Sequence, residues 1–213
     1  MQKEFHKTTP KTRGPKLEAL GRLRSSLKKG GVFRREDLLD KSNAVDRHLS
    51  QLVKQGDVEK LSQGLYYAPK SSAFGKVPPK DEELVEAFLK DDDFLMLSPN
   101  NYNALGLGTT QLYNKTVVYN HKRHGAFKLG NRTFEFRLKH RFPNKLNKEF
   151  LLVDLLNNLP KLAEDQDAVL ENAHDQLDQF EPARLQAMAN RYGGVRTQKR
   201  LSSWLHQPSK GHA

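Results

Sequence analysis

The sequence predicts an α+β chain in two parts: three short helices closed by a β-hairpin, then a mixed domain with a small sheet and several helices. Three observations carry this. Leucines recur at three- and four-residue spacing over the first 30 residues. A helical stripe from Val45 to Val53 stops at Gly56 and gives way to two short strand-like runs around "SQG". Beyond a Pro-containing stretch, alternating runs up to Leu138 yield to helical periodicity.

Residues 1–15 combine Lys, Arg, Thr, Pro and Gly with little apolar content, the composition of a flexible basic arm. Leu17, Leu20, Leu23 and Leu27 then mark an amphipathic helix ended by Gly30-Gly31. "VFRREDLLD" reads as a second short helix with Leu38 and Leu39 facing inward. Ser42 is a favourable N-cap for a third helix, on which Val45, Leu49, Leu52 and Val53 form one buried stripe roughly 100° wide. Gly56 ends that helix. "VEKL" and "LYYAP" follow as strands across a turn whose Gly tolerates positive φ, with one of Tyr66 and Tyr67 inward and the other outward. Three helices and a hairpin in this order make a winged helix-turn-helix domain over residues 16–75.

"SSAFGKVPPKDEE" (71–83) has two Ser, a Gly and two Pro without periodicity, and the domain boundary is expected there. The second, α+β domain spans 78–207. It opens on a helix in "DEELVEAFLKDDD", a buried strand in "FLMLSP" and a short helix in "NNYNALGLGT". "KTVVYNH", "HGAFKLG" and "RTFEFRLKH" alternate as strands, with turns at Lys122–Gly125 and Gly130-Asn131. Four helical stretches follow from Asn147, and residues 208–213 read as a disordered tail.

Composition narrows the function classes. Hydrophobic residues at 36% and charged residues at 29% favour two small cores over one large one. The absence of cysteine excludes a disulfide framework, a thiolate metal site and a thiol nucleophile. No apolar run approaches the ~20 residues that span a bilayer, and "MQKEFHKTTPKTRGPK" lacks the apolar segment of a secretory signal. A cytoplasmic protein is expected. The net charge of +11 is uneven: residues 1–77 hold 17 Lys/Arg against 8 Asp/Glu, and residues 78–213 hold 19 against 17. A basic excess concentrated in one third of the chain is the footprint of a nucleic-acid-binding module, with a solubilising surface as the competing explanation.

The candidate site lies on the third helix. Opposite its buried stripe stand Asn43, Arg47, Ser50, Gln51 and Lys54, with Ala44 at the edge. Arg pairs bidentately with guanine and Asn or Gln with adenine, while Ser and Lys reach bases or phosphates. The start of such a helix lies deepest in the major groove, so Asn43, Ala44 and Arg47 are assigned to bases and Lys54 to phosphate. Lys60 and Gln63 on the wing are placed at the backbone or minor groove, and Lys11 and Arg13 of the arm in an adjacent minor groove. A merely solvated face would carry more Glu; none of the six positions is acidic, and Asp46 lies at the flank.

A second basic run, 115–145, holds nine Lys/Arg and one acid, interleaved with Tyr119, Phe127, Phe134, Phe136 and Phe142. The aromatics suit either base stacking or a sheet core with charges outside, and the latter is favoured. The acidic run at 150–181, eight acids against one Lys, offers neutralisation within the same domain. Enzymatic readings fare poorly. His121 and His124 lack convergent carboxylates, so no metal or other cofactor is expected. Glu135 with Lys139 loosely follows a nuclease pattern, but Arg137 occupies the slot where the lysine belongs and would repel a magnesium ion. A degenerate nuclease and a protein-binding adaptor remain the alternative classes.

"LSQLVKQGDVEKLSQGLYYAPK" (49–70) resembles the helix–wing segment of the AbiEi-type antitoxins of type IV toxin–antitoxin systems. The basic arm, the Pro-rich link, "MLSPNNYNALGL" (96–107) and "YGGVRTQKRLSSWL" (192–205) fit the same layout. The resemblance implies a winged helix that binds inverted repeats in its own promoter and represses it. It also implies a C-terminal domain that counters a nucleotidyltransferase-like toxin. By position, the DNA-reading helix is Asn43 to Gln55 and the wing Val58 to Ala68. One reading helix per chain means that two copies occupy an inverted repeat.

Overall fold

The structure is a computed structural model and describes residues 15–206. The arm that carries Lys11 and Arg13, and the tail after residue 206, lie outside the described residues. The chain divides into two compact units, one ending at Phe88 and the other beginning at Leu89.

The first unit is a winged helix-turn-helix with two additions. Helix α1 (Pro15–Ser26) leads to strand β1 (Val32–Arg34), a 3-10 helix (Glu36–Lys41), helix α2 (Val45–Lys54) and strands β2 (Glu59–Ser62) and β3 (Leu65–Tyr67). The strands form an antiparallel sheet ordered β1-β3-β2. Apolar residues of the helices and of the wing meet here: Leu23, Leu27, Leu38, Val45, Leu49, Leu52, Val58 and Ala68 form one core, edged by Leu20, Phe33, Val53 and Tyr66. Of the two tyrosines, Tyr67 is fully buried and Tyr66 half-buried. Gly64 turns the hairpin at φ 73°.

Two expectations need correction in this unit. "VFRREDLLD" is not one helix: Val32, Phe33 and Arg34 pair with Tyr67, Tyr66 and Leu65. The edge of β3 offers ladder bonds that outweigh the weak helix preference of a β-branched and an aromatic residue. In the 3-10 helix that remains, side chains three apart eclipse, so Leu38 is buried while Leu39 is 51% exposed. The stretch read as a link is also structured. Strands β4 (Lys70–Ser72) and β5 (Gly75–Val77) form a second hairpin, turned at Gly75 with φ 107°. The Tyr67 hydroxyl donates to Val77 O at 2.5 Å, and Lys76 pairs with Glu59 at 2.9 Å, fastening this hairpin to the wing strands. Helix α3 (Asp81–Leu89) follows, and Arg34 Nη1 donates to two of its last carbonyls, Ala87 O (2.7 Å) and Phe88 O (3.2 Å). Carbonyls in the last turn of a helix lack an intrahelical donor as a class, and a guanidinium N–H serves them.

The second unit sets a four-stranded sheet against helices. Strands β6 (Phe94–Leu97), β7 (Thr116–Asn120), β8 (Gly125–Leu129) and β9 (Arg132–Leu138) take the order β6-β7-β9-β8, with β7 and β9 parallel and the other pairs antiparallel. A 3-10 helix (Pro99–Leu105), capped by Ser98, links β6 to the loop before β7. Leu95, Leu97, Val117 and Tyr119 on one sheet face join the core made with α4 (Lys148–Asn158), α5 (Gln166–Asp175), α6 (Pro182–Tyr192) and α7 (Val195–His206). The aromatics of the basic run are core residues: Tyr119, Phe134, Phe136 and Phe142 are buried and Phe127 half-buried, so they present no stacking platform. Among the described residues, no helix is long and apolar enough to cross a membrane.

Candidate nucleic-acid interface

Helix α2 owes its placement to an apolar stripe that includes one residue the periodicity did not flag. Val45, Leu49 and Leu52 are buried as expected, and His48 is buried among them. Its Nδ1 lies 2.7 Å from Ser42 Oγ, which also accepts from Ala44 N at 3.1 Å. Ser42 is therefore not the N-cap. Its hydroxyl is held in the turn, Ala44 occupies the cap position without a side-chain bond, and the helix begins at Val45 rather than Asn43. A buried imidazole requires a hydrogen-bond partner, and Ser42 supplies it.

With that face turned inward, Asn43, Arg47, Ser50, Gln51 and Lys54 all point to solvent and Ala44 is half-buried. Ser50 Oγ donates to Asp46 O at 2.8 Å, which leaves its lone pairs outward. The one acid at the flank, Asp46, is occupied: Arg35 Nε and Nη2 bind its two carboxylate oxygens at 2.5 and 2.7 Å. The hydrogen bonds from Arg35 hold the Asp46 carboxyl below the usual carboxylate range, and Asp46 in turn raises the guanidinium. The face thus presents Arg47 and Lys54 with its neighbouring carboxylate neutralised.

Beside the start of α2, a cleft of about 500 Å³ runs between α1 and the turn, lined by Ala19, Arg22, Asp40, Lys41, Ser42, Asn43, Ala44, Arg47 and His48. Asp40 in this cleft bonds Lys41 at 2.6 Å. Arg22 is a cation that sequence reading missed, because nothing in the α1 pattern tells which of its polar positions faces the turn. Lys60 on β2 and Gln63 in the wing turn are exposed. Arg24 binds Gln55 Oε1 at 2.5 Å and also pairs with Asp57, tying α1 to the end of α2.

In the second unit, Glu135 sits between Lys115 and Arg137, with Arg137 Nε at 2.6 Å. Arg137 Nη1 continues to Asn158 Oδ1 at 3.0 Å. Behind them, buried Asp154 accepts from Tyr102 Oη (2.7 Å) and Tyr119 Oη (2.9 Å). Burial raises the Asp154 carboxyl above its usual range despite those bonds, and raises both phenols. The carboxylate of Glu135 is thus committed to two cations, and Lys139 lies over the Tyr119 ring at 4.8 Å.

The fold is similar to that in the crystal structure of the RV2827C protein from Mycobacterium tuberculosis, with a TM-score of 0.55 over 88% of this chain and 76% of that one. At 14% identity the likeness is one of fold. No curated protein matches the sequence. A family model does, over residues 20–179, which takes in the whole helix–wing segment and the sheet: the chain belongs to the family of unknown function DUF6088.

Proposed function

We propose that this protein is a DNA-binding transcriptional regulator in which α2 reads the major groove. The observation that carries the reading is the outer face of α2 and the turn before it: Asn43 in the turn and Arg47, Ser50, Gln51 and Lys54 on the helix are exposed, none is acidic, and the flanking Asp46 is taken up by Arg35. Asn43, Ala44 and Arg47 contact bases, Ser50 and Gln51 assist, and Lys54 meets phosphate. Lys60 and Gln63 on the wing, and Lys11 and Arg13 of the arm, add backbone or minor-groove contacts. The positive charge of the first 77 residues supplies salt-dependent affinity for any duplex, and base contacts add discrimination. Such a protein acts in the cytoplasm as a binding protein rather than a catalyst. The resemblance to AbiEi-type antitoxins extends the reading: the protein represses its own toxin–antitoxin operon and counters a nucleotidyltransferase-like toxin.

The test is a binding titration on the DNA upstream of its own gene and on scrambled DNA, at two salt concentrations, with Arg47→Ala beside the wild type. The wild type is expected to prefer the upstream DNA, and the variant to lose about 1–3 kcal/mol of that preference. Equal affinity of the wild type for both sequences would sink the reading.

A further inference from the structure

The second unit changes sign along the chain. Residues 150–181 hold eight acids and one Lys, yet from Pro182 to His206 there is no Asp or Glu and there are five Lys/Arg. Of these five, Arg184 pairs with Glu181 at 2.7 Å. Arg191, Arg196, Lys199 and Arg200 have no carboxylate partner among the described residues, and all four are exposed.

Helix α7 organises three of them. Thr197 and Leu201 are buried against the core, which turns Arg196, Lys199, Arg200 and Ser203 outward at i, i+3, i+4 and i+7. At 1.5 Å per residue this is one stripe about 10 Å long. The Arg200 guanidinium lies over the Trp204 ring at 5.9 Å, and Arg191, at the end of α6, over Tyr192 at 5.5 Å. Trp204 is braced in turn by His174, edge to face at 5.4 Å. Guanidiniums laid on rings lose less freedom on binding an oxyanion than free side chains do. The junction beneath is also fixed: Asn157 of α4 donates to Tyr192 O (3.0 Å) and accepts from Gly194 N (2.8 Å).

From this we infer that the α7 stripe is a second nucleic-acid contact, which takes the phosphate backbone of a duplex without regard to sequence. Protein interfaces carry an apolar centre within a polar rim. Between Arg196 and Ser203 this stripe is polar throughout, so repeated phosphates fit it better than a folded acidic partner. The inference does not rest on α2 as the reading head.

The experiment uses the full chain and a duplex of random sequence, titrated across a salt series. The triple variant Arg196→Ala/Lys199→Ala/Arg200→Ala is expected to bind it more weakly, with the slope of log affinity against log salt reduced by about 2–3, or 0.9 per lost phosphate contact. Replacing both arginines by lysine keeps the charge and is expected to keep the slope. The variant Arg196→Gln/Lys199→Gln leaves the Arg200–Trp204 contact in place and is expected to lose about 2 from the slope, which guards against misfolding as the cause. An unchanged affinity and slope in a folded triple variant overturns the inference, as it would if the stripe served an acidic protein instead. The two proposals fail separately. If α2 is not a reading head, the wild type shows no sequence preference while the triple variant still loses affinity. If α7 is not a phosphate surface, Arg47→Ala loses preference while the triple variant binds as the wild type does.

Discussion

Ser42 and His48 decide where the outer face of α2 points. Ser42 Oγ, in the turn that precedes α2, and His48 Nδ1, on the helix, meet at 2.7 Å, so Asn43 in the turn and Arg47 in the first helical turn start from a junction pinned from inside. Ser42→Ala strands a buried imidazole nitrogen and is expected to cost about 1–3 kcal/mol in denaturant unfolding. A double-mutant cycle with His48→Ala should return a coupling of about 1 kcal/mol; additive effects would show that the bond holds nothing. Asp154 poses the opposite case, a carboxyl that burial raises above its ordinary value. Its folded state holds the proton more tightly than its unfolded state, so its contribution to stability is whole at acid pH and is lost as pH rises through the raised value. Asp154→Asn is therefore expected to gain on the wild type in thermal stability as pH rises from the ordinary carboxylate value of about 4, and a constant difference would refute the shift. The Ser42–His48 bond was not legible from spacing: a lone His on an apolar face says nothing of which hydroxyl will reach it.

At the scale of elements, periodicity read well where one face packs and poorly where a partner strand is required. The α2 stripe repeats at helical period and buries the three residues it named first, Val45, Leu49 and Leu52. β1 is three residues long and exists because the edge of β3 lies beside it, which no local pattern encodes. The β4–β5 hairpin was hidden for a similar reason: its strands, Lys-Ser-Ser and Gly-Lys-Val, are exposed and show no buried alternation, and its anchor is a tyrosine hydroxyl from the neighbouring strand. The α6–α7 joint yields an element-scale prediction. A Cβ at Gly193 would meet Ala189 O at 2.5 Å, closer than side chains approach backbone. Gly193→Ala is expected to destabilise the second unit by about 1–3 kcal/mol in denaturant unfolding, the cost of overpacking. A neutral result would mean that the joint yields without strain.

For the whole molecule, the division after Phe88 groups α3 with the winged helix through the Arg34 bonds to Ala87 and Phe88. A fragment ending at residue 88 is expected to be more stable to denaturant than one ending at residue 69. The shorter piece loses the Tyr67–Val77 bond, the Lys76–Glu59 pair and the acceptors of Arg34. Equal midpoints would show that the hairpin and α3 contribute nothing to the first unit.

The sequence by itself determined the α+β class, the helix order, the hairpin after Gly56 and the polar composition of the α2 face. Each of these is local: side-chain period, a glycine at positive φ, and charge are properties of neighbouring residues. Tertiary structure alone decided that Asp46 is spent on Arg35, that Arg22 lines the same cleft as Arg47, and that the cations of α7 have no carboxylate partner among the described residues although residues 150–181 of the same unit hold eight acids. Those facts depend on which distant residues the packed cores bring within reach: hydrogen bonds need heavy atoms within about 3 Å, and exposed charges are screened beyond about 10 Å.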